Sequence, residues 1–327
     1  MGIRAIGAAV VVRGAAAAVS ALLVAGCGGS DDPAGPAVRE IELPKGGSTH
    51  ELTLGPDGNV WVTQQNQANL VRVTPRGVIR VHSLPKGSGP HGIGFDRRGR
   101  LWLTFEFSNE IVELDQRGRI LERHPIPGVD AGPHGLHVAR DGGVWWTGKE
   151  GDVVGRLDPE TGRMRVFELP EADSAPIYIA EGCDGMYFTE LTGARIGRVT
   201  DDGAITEWAT PTPQSRPIAV APRDCRVWFS EEAGHRFGVL DPRSGRIVEY
   251  PLRRRGDELA SLAFDRRGAL WLQHVKPDVF GRAGPDREVD DFPIPTEKAK
   301  MHRIIAGPGG TMWFTELASD KVGYFEP

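Results

Sequence analysis

Four histidines recur at one fixed distance from a repeated aromatic residue. Each lies eleven residues before a tryptophan flanked by apolar residues, and they are His50, His91, His134 and His302. Imidazole titrates near neutral pH, so histidines gathered in a partly shielded site suit proton abstraction or the binding of a divalent cation. The spacing predicts that all four are catalytic candidates that occupy equivalent positions in successive structural repeats.

Acidic residues follow the same aromatic and are expected on the same face of the molecule. We take Glu106, Glu150 and Glu316 as candidate metal ligands, and further residues at this position are Glu190, Glu231, Glu232 and His274. A structural role is the alternative for both sets. Pro-His-Gly at a strand entrance can cap the strand through hydrogen bonds, and Thr-Glu after the aromatic also occurs in copies that have no histidine.

The repeated aromatic defines the elements that must position these residues. It occurs seven times, at intervals of 41 to 43 residues. The second copy divides at turn-forming residues into four short segments, Gly92–Phe95, Leu101–Thr104, Glu110–Leu114 and Ile120–His124. Such segments are typical of antiparallel strands and leave no room for a helix. Seven four-stranded copies predict an all-β fold, a seven-bladed β-propeller.

Ring closure follows from how the last copy ends. That copy stops after its third strand, whereas Val38–Pro44 matches the fourth-strand pattern of the other copies. An N-terminal strand that completes the seventh blade would remove an open sheet edge. The blades that carry the histidines, which are one, two, three and seven, then become neighbours. The matching positions in blades four to six are apolar: Ile177, Ile218 and Ala260.

Composition and charge exclude several classes of function. With 39% hydrophobic and 25% charged residues, the chain resembles an ordinary globular protein rather than a disordered or multi-span membrane protein. Its net charge is −5 and its longest basic run is Arg253–Arg255, which argues against nucleic acid as a partner because phosphate neutralisation needs clustered positive charge. We expect a monomer that takes a small-molecule or peptide ligand at the channel mouth.

The N-terminus reads as an export signal. Residues 1–27 contain Arg4, Arg13 and an uncharged run of 13 residues, too short to span a membrane, that ends in small residues before Cys27. This pattern resembles the lipobox of bacterial lipoproteins, in which Cys27 is lipidated; a plain cleaved signal is the alternative. Residues 28–37 would be a flexible tether and residues 38–327 the propeller. The resulting expectation is an exported protein, attached to the membrane only through its lipid anchor.

Two further cysteines are predicted to be structural. Cys183 and Cys225 lie in equivalent turns of the adjacent fourth and fifth copies. Thiols in an exported protein meet an oxidising environment and tend to pair. We therefore expect a disulfide between these two blades, on the face opposite the histidines.

Several motifs resemble the streptogramin lyase (virginiamycin B lyase) family; they are Pro90–Ile93, Ile196–Thr200, Ile205–Trp208 and Trp313–Glu316. The resemblance covers all seven copies and implies the same propeller. It also implies ring opening of cyclic depsipeptides at the ester bond by elimination with Mg2+. In that chemistry a histidine base removes a proton α to the ester carbonyl, while the metal, held by glutamates, withdraws charge from the enolate.

The family's site residues carry over only in part. His302 matches the base, and Glu316 matches the second glutamate approximately, one residue nearer the aromatic. Ala260 replaces a histidine of blade six, and Lys300 replaces a glutamate, so a cation stands where a metal ligand belongs. A rotated site is also available on a nearly symmetric ring. It would use His91, His134 and Glu150, with Gly132 at the position of the fourth group.

Two other functions are also compatible with the sequence. A non-catalytic surface lipoprotein could bind a peptide, glycan or cell-wall ligand on the same face. A metal-dependent lactonase similar to the gluconolactonase propellers is the other alternative, although its Glu, Asn and Asp ligand set finds no matching channel positions. Mg2+ or another divalent metal is expected in the enzymatic interpretations.

Overall fold

Short antiparallel strands make up nearly all of the regular structure. The computed structural model describes residues 35–254 and 256–327, which contain 28 β-strands and one 3-10 turn at Pro308–Gly310. The strands form seven four-stranded sheets, which confirms the all-β, seven-bladed β-propeller. The predicted signal with Cys27, and most of the tether, lie outside the described residues. In the described part, no helix is long and apolar enough to cross a membrane.

The blades follow one another along the chain. The first strand, β1 (Arg39–Glu42), precedes blade one, which is β2 (Thr49–Leu54), β3 (Val60–Gln64), β4 (Asn69–Val73) and β5 (Ile79–Ser83). Blade two is β6 (Pro90–Phe95), β7 (Leu101–Phe105), β8 (Glu110–Leu114) and β9 (Ile120–Pro125). Blade three is β10 (Pro133–Val138), β11 (Val144–Gly148), β12 (Val153–Leu157) and β13 (Met164–Glu168). Blade four is β14 (Pro176–Glu181), β15 (Met186–Glu190), β16 (Arg195–Val199) and β17 (Ile205–Ala209).

The remaining blades keep the same order. Blade five is β18 (Pro217–Arg223), β19 (Arg226–Glu231), β20 (Arg236–Asp241) and β21 (Arg246–Pro251). Blade six is β22 (Glu258–Phe264), β23 (Leu270–Lys276), β24 (Val279–Ala283) and β25 (Val289–Pro293). Blade seven is β26 (Met301–Ala306), β27 (Met312–Glu316) and β28 (Lys321–Phe325), followed in space by β1.

The N-terminal strand closes the ring, as predicted. β1 pairs antiparallel with β28, with Arg39 opposite Tyr324 and Ile41 opposite Val322. β1 is shorter at both ends than the predicted Val38–Pro44. The innermost strands of neighbouring blades contact one another around the whole ring, and β26 of blade seven contacts β2 of blade one.

The repeated aromatic residue, which is tryptophan in six blades and Tyr187 in blade four, joins each blade to the next. Trp61 of blade one packs against Leu101 and Leu103 of blade two. Trp313 of blade seven packs in the same way against Val60 and Val62 of blade one. Burial of large aromatic side chains is the main stabilising contribution available to such an interface. The aromatic residue that recurs along the sequence therefore forms the contact that recurs between neighbouring blades.

A glycine in the third strand makes room for the aromatic of the second strand. A Cβ atom on Gly197 would lie 2.2 Å from Cζ of Phe188. On Gly323 it would lie 2.1 Å from Cζ of Phe314. These distances are well below van der Waals contact, so the ring edge lies directly over the backbone of the next strand.

The threonine that follows the aromatic bonds one blade to the next. The hydroxyl of Thr104 accepts a hydrogen bond from the N–H of Gly92 at 2.7 Å and donates to the carbonyl of His134 in blade three at 2.9 Å. Thr63 donates in the same way to the carbonyl of His91, at 2.9 Å. Because the hydroxyl of Thr104 both accepts and donates a hydrogen bond inside the protein, this threonine has a structural role.

Cys183 and Cys225 form a disulfide bond with their Cα atoms 5.2 Å apart. Cys183 lies in the turn between β14 and β15, and Cys225 lies in the equivalent turn between β18 and β19. The bond therefore links blades four and five at the ends of the inner strands that are opposite to the histidine positions.

Candidate functional site

The predicted histidines lie in β-bulges at the entrances of the inner strands. The pairing of β2 with β3 shifts between Thr49 and Leu52, and the three other histidine-bearing inner strands shift at the equivalent place. A bulge inserts an extra residue and re-aims side chains. The carbonyl of the bulged histidine accepts the threonine hydroxyl of the preceding blade, as for His91 and His134. The blade contacts thus fix the backbone that carries each imidazole.

The structure brings all four histidines together. The ring centroids of His50 and His91 are 4.7 Å apart, and those of His50 and His302 are 5.0 Å apart. The centroids of His91 and His302 are 6.0 Å apart, and those of His91 and His134 are 3.7 Å apart. The imidazoles therefore form one cluster, although 252 positions of sequence separate the first from the last.

Two of these histidines have one ring nitrogen bound to backbone. Nδ1 of His91 lies 3.2 Å from the carbonyl oxygen of His134, and Nδ1 of His134 lies 3.2 Å from that of Ile177. A carbonyl only accepts, so both Nδ1 atoms carry the proton and both Nε2 lone pairs are free. Nε2 of His91 is buried and has no hydrogen-bond partner.

The other two histidines contact side chains instead. Nε2 of His50 lies 3.1 Å from the hydroxyl of Ser48, and its Nδ1 is buried without a hydrogen-bond partner. Nε2 of His302 lies 3.2 Å from the hydroxyl of Tyr178, which donates its proton to Glu51 at 2.5 Å. Because the tyrosine proton is already used, His302 donates its Nε2 proton to the tyrosine oxygen, and its Nδ1 lone pair is left free.

Three residues of this cluster were not predicted from the sequence. Glu51 accepts the proton of Tyr178, lies 3.8 Å from Nε2 of His302, and pairs with Nε of Arg303 at 3.3 Å. The guanidinium of Arg303 lies 4.8 Å above the ring of Tyr178. Each follows directly after a position that was compared between the copies. Comparison of this next position would have shown a glutamate, a tyrosine and an arginine among small residues.

Burial keeps the four imidazoles neutral at pH 7. Loss of solvation lowers the pKa of His50 to about 4 and that of His134 to about 3, and the positive charge of Lys149 adds to both shifts. Burial likewise lowers the pKa of His91 and of His302 well below the ordinary value of 6.5. A neutral imidazole has a lone pair available for a proton or a metal ion.

The three predicted acidic ligands occupy different environments. A carboxylate oxygen of Glu106 accepts a hydrogen bond from Gln65 at 2.6 Å, and one donor atom from each of Glu106, His91 and His134 lie within 4.8 Å of one another. The side chain of Glu150 is 65% exposed and pairs with Lys149 at 3.5 Å. Glu150 and Glu316 belong to none of the groups of three close donors found among residues 35–254 and 256–327.

Glu316 lies inside its blade, away from solvent. It is fully buried and accepts a hydrogen bond from Ser319, and Glu40 and Lys321 lie nearby. Burial raises its pKa to about 7. Glu190 and Glu231 occupy the same position in blades four and five, where burial raises their pKa values to about 7 and about 8. This repeated environment favours a blade-packing role for these acids.

These residues do not fit a magnesium site of the kind that the resemblance implied. Mg2+ prefers oxygen ligands in octahedral geometry. Ala260 offers no donor, Lys300 carries a positive charge, and Glu316 is held within its blade. The free atoms of the cluster are instead imidazole nitrogens.

Comparison with known proteins gives concordant results. The profile of the virginiamycin B lyase family matches residues 86–327. A virginiamycin B lyase of Nocardia farcinica is 35% identical over 81 residues, a match that covers 24% of this chain and only 29% of that protein.

Similar solved structures include a streptogramin B lyase, with a TM-score of 0.83 and 26% identity over 89% of this chain and 97% of that chain. The virginiamycin B lyase of Staphylococcus aureus has a TM-score of 0.82 and 27% identity over 89% and 99%. A catalytically inactive histidine-to-alanine variant of the latter, crystallised with quinupristin, has a TM-score of 0.82 and 28% identity over the same shares.

Proposed function

Because the chain belongs to the virginiamycin B lyase family, we propose that it opens a cyclic depsipeptide or a related ester by elimination, with His302 as the base. The observation that carries this proposal is the chain of contacts from Glu51 through Tyr178 to His302. It holds the Nε2 proton of the imidazole and leaves Nδ1 free, in the way that an orienting group fixes the tautomer of a catalytic histidine.

The reaction would need only a base in the correct protonation state and position. Nδ1 of His302 would take a proton α to a carbonyl, the carbon–oxygen bond at the β position would break, and a carboxylate would leave. The product is linear and contains every atom of the substrate. General base catalysis by a positioned side chain contributes roughly 10²–10⁴-fold to such a rate.

No step that we propose for this chain uses Mg2+. In the family resemblance the metal would stabilise the enolate, but the residues at those positions here provide no oxygen ligand set. Among the residues described, Arg303 lies beside the base, and its charge is shared with Glu51 at 3.3 Å.

The proposal is tested by incubating the purified full chain with quinupristin, the compound bound by the similar staphylococcal variant, with and without a divalent cation. We expect a linear product of unchanged mass. His302→Gln should lower the rate at least about 100-fold. His82→Gln serves as the control because His82 lies in the outer strand β5 and stacks on Trp61. Equal rates in the wild type, His302→Gln and His82→Gln would show that His302 is not the base.

A non-catalytic binding function is the second candidate. The backbone hydrogen bonds of His91 and His134 favour it, because they are typical of residues that stabilise a strand entrance. Quinupristin that binds without being opened would support this candidate and contradict elimination. A product heavier by one water would instead indicate a hydrolase, as in the lactonase alternative.

We also propose that the protein is exported and lipid-anchored through Cys27 as a monomer. The uncharged N-terminal run ending at Cys27 supports this, as does the disulfide between Cys183 and Cys225, since such bonds persist in oxidising compartments. Incorporation of a labelled fatty acid into the intact chain, lost in Cys27→Ser, is the expected result. Labelling that persists in Cys27→Ser would contradict the anchor.

A further inference from the structure

The cluster contains three imidazoles arranged around a common point. One donor nitrogen from each of His50, His91 and His302 lie within 4.8 Å of one another. The rings are mutually tilted, with interplanar angles of 54°, 82° and 89°. Rings tilted in this way can point their edges at one ion, whereas parallel rings stack. We propose that these three histidines form a binding site for a nitrogen-preferring divalent cation such as Zn2+.

The spacing of the rings agrees with tetrahedral coordination. Zn–N bonds are about 2.1 Å long, so two imidazoles bound to one tetrahedral zinc ion have ring centroids roughly 5 Å apart. The centroids here are 4.7, 5.0 and 6.0 Å apart. Small rotations about the side-chain bonds bring the three nitrogens to the separation that the ion requires. Three histidines leave a fourth position open for water or a substrate oxygen.

Each of the three rings has one nitrogen that its hydrogen bonds do not use. The Nδ1 proton of His91 goes to the carbonyl of His134, so Nε2 is the available donor, and this atom is buried without a partner. His302 donates from Nε2 to Tyr178, so Nδ1 is available. Donation from Nε2 of His50 to Ser48 frees its Nδ1, which is also buried without a partner. Metal-binding histidines usually donate their other N–H to such an oxygen.

The neighbouring group of His91, Glu106 and His134 is a poorer candidate. The rings of His91 and His134 have centroids only 3.7 Å apart, which is a stacking distance and leaves too small an angle at a shared tetrahedral ion. The ammonium of Lys149 also lies 3.8 Å from Glu106, where it already balances the carboxylate. The three-histidine arrangement has wider ring spacings and needs no carboxylate.

This inference does not rest on the proposed function. A bound cation would occupy the Nδ1 lone pair that proton abstraction needs, so metal binding and catalysis by His302 would compete. Zn2+ should then inhibit any ring opening in proportion to its occupancy of the site.

The test measures metal binding directly. The full chain, without a polyhistidine tag and stripped with a chelator, is dialysed against Zn2+, and bound zinc is measured by atomic emission. We expect one zinc per chain, and a rise in the melting temperature because the ion binds only the folded state. Co2+ in the same site should give the strong visible absorption of a tetrahedral complex. Weak absorption typical of octahedral Co2+, or no zinc above background, would overturn the proposal.

Variants identify the ligands. His50→Gln and His91→Gln should each lower the affinity for Zn2+ by more than the roughly 10–100-fold that loss of an outer hydrogen-bond partner costs. His124→Gln is the matched control, because His124 belongs to the separate group with Glu113 and Glu122. Melting curves without zinc establish that each variant folds. His50 is half-buried, so His50→Gln remains informative if His91→Gln does not fold. Zinc binding lost in His124→Gln but kept in His50→Gln would contradict the assignment.

Discussion

The second ring nitrogen of a catalytic or metal-binding histidine is usually fixed by a hydrogen-bond partner. In His302 that partner is Tyr178, which is itself bound to Glu51. In His91 and His134 the partner is a backbone carbonyl. The same residue type at the same repeat position therefore differs in reactivity. His302 is distinguished by its contact with a tyrosine that is itself hydrogen-bonded to a carboxylate.

Tyr178→Phe tests this positioning role. The substitution removes the acceptor for the Nε2 proton of His302 and the donor to Glu51, so the imidazole loses its fixed tautomer. If the chain catalyses elimination, kcat should fall by about 10–100-fold while KM changes little, because the defect lies in the orientation of the base. Steady-state kinetics with quinupristin provide the measurement. A larger effect on KM than on kcat would indicate that Tyr178 contacts substrate instead.

Glu231 should make the stability of the protein depend on pH. Burial raises its pKa from 4.5 to about 8, and both carboxylate oxygens are buried without a hydrogen-bond partner. The contribution of this carboxyl group to the free energy of unfolding is fully present below pH 4.5, where both the folded and the unfolded state hold the proton. It is lost as pH rises from 4.5 towards about 8, because the unfolded state releases this proton while the folded state still holds it.

Glu231→Gln should therefore melt a few degrees higher than the wild type at pH 8, and close to it at pH 5. Roughly 1 kcal/mol corresponds to about 2 °C in a chain of this size. Glu232→Gln is the control, since Glu232 forms a partly exposed ion pair with Arg216 at 2.7 Å. A difference between Glu231→Gln and wild type that is the same at both pH values would contradict the raised pKa.

The blades are held by features that the sequence repeats in most copies. The tryptophan of the second strand packs on the next blade, the threonine bonds to the next inner strand, and the glycine of the third strand admits the second aromatic. These contacts account for the sequence motif without reference to chemistry. In blades four and seven, the Thr-Glu pair after the aromatic also has a packing role. This is the structural alternative that was stated above for these acids.

Gly197→Ala tests the close packing within a blade. Its new Cβ would lie 2.2 Å from Cζ of Phe188, so either the ring or the strand must move. Overpacking of this kind costs about 1–3 kcal/mol. Urea unfolding should show this loss, whereas Gly284→Ala, whose nearest neighbour is the flexible side chain of Asp286 at 3.0 Å, should be close to wild type. Equal unfolding free energies in the two variants would refute the packing argument.

In the whole molecule, closure of the ring brings histidines that recur at regular intervals along the sequence into one shared site. The period and the unfinished seventh copy were sufficient to predict the fold, the closing strand and the convergence of the histidines. The contacts of Glu51, Tyr178 and Arg303 were not predictable from one aligned position, because they cross the centre of the ring between blades one, four and seven. The position of Glu316 depends on β1, from the other end of the chain.

The disulfide between blades four and five should strengthen the ring. It joins residues 42 positions apart, and closing a loop of that size in the unfolded chain stabilises the native state by about 2–4 kcal/mol. Cys183→Ala combined with Cys225→Ala should lower the free energy of unfolding by this amount. Alkylation without a reductant should leave both cysteines unmodified in the wild type. Alkylation of both would show that the thiols are free.

The most direct test of the central claim, that the histidine cluster supports elimination with His302 as base, is ring opening of quinupristin in water enriched in oxygen-18. Elimination takes no atom from the solvent, so we predict a linear product with the mass of the substrate and no heavy oxygen, formed by the wild type and lost in His302→Gln. A product that carries one heavy oxygen, or a substrate that stays cyclic in the presence of folded protein, would contradict it.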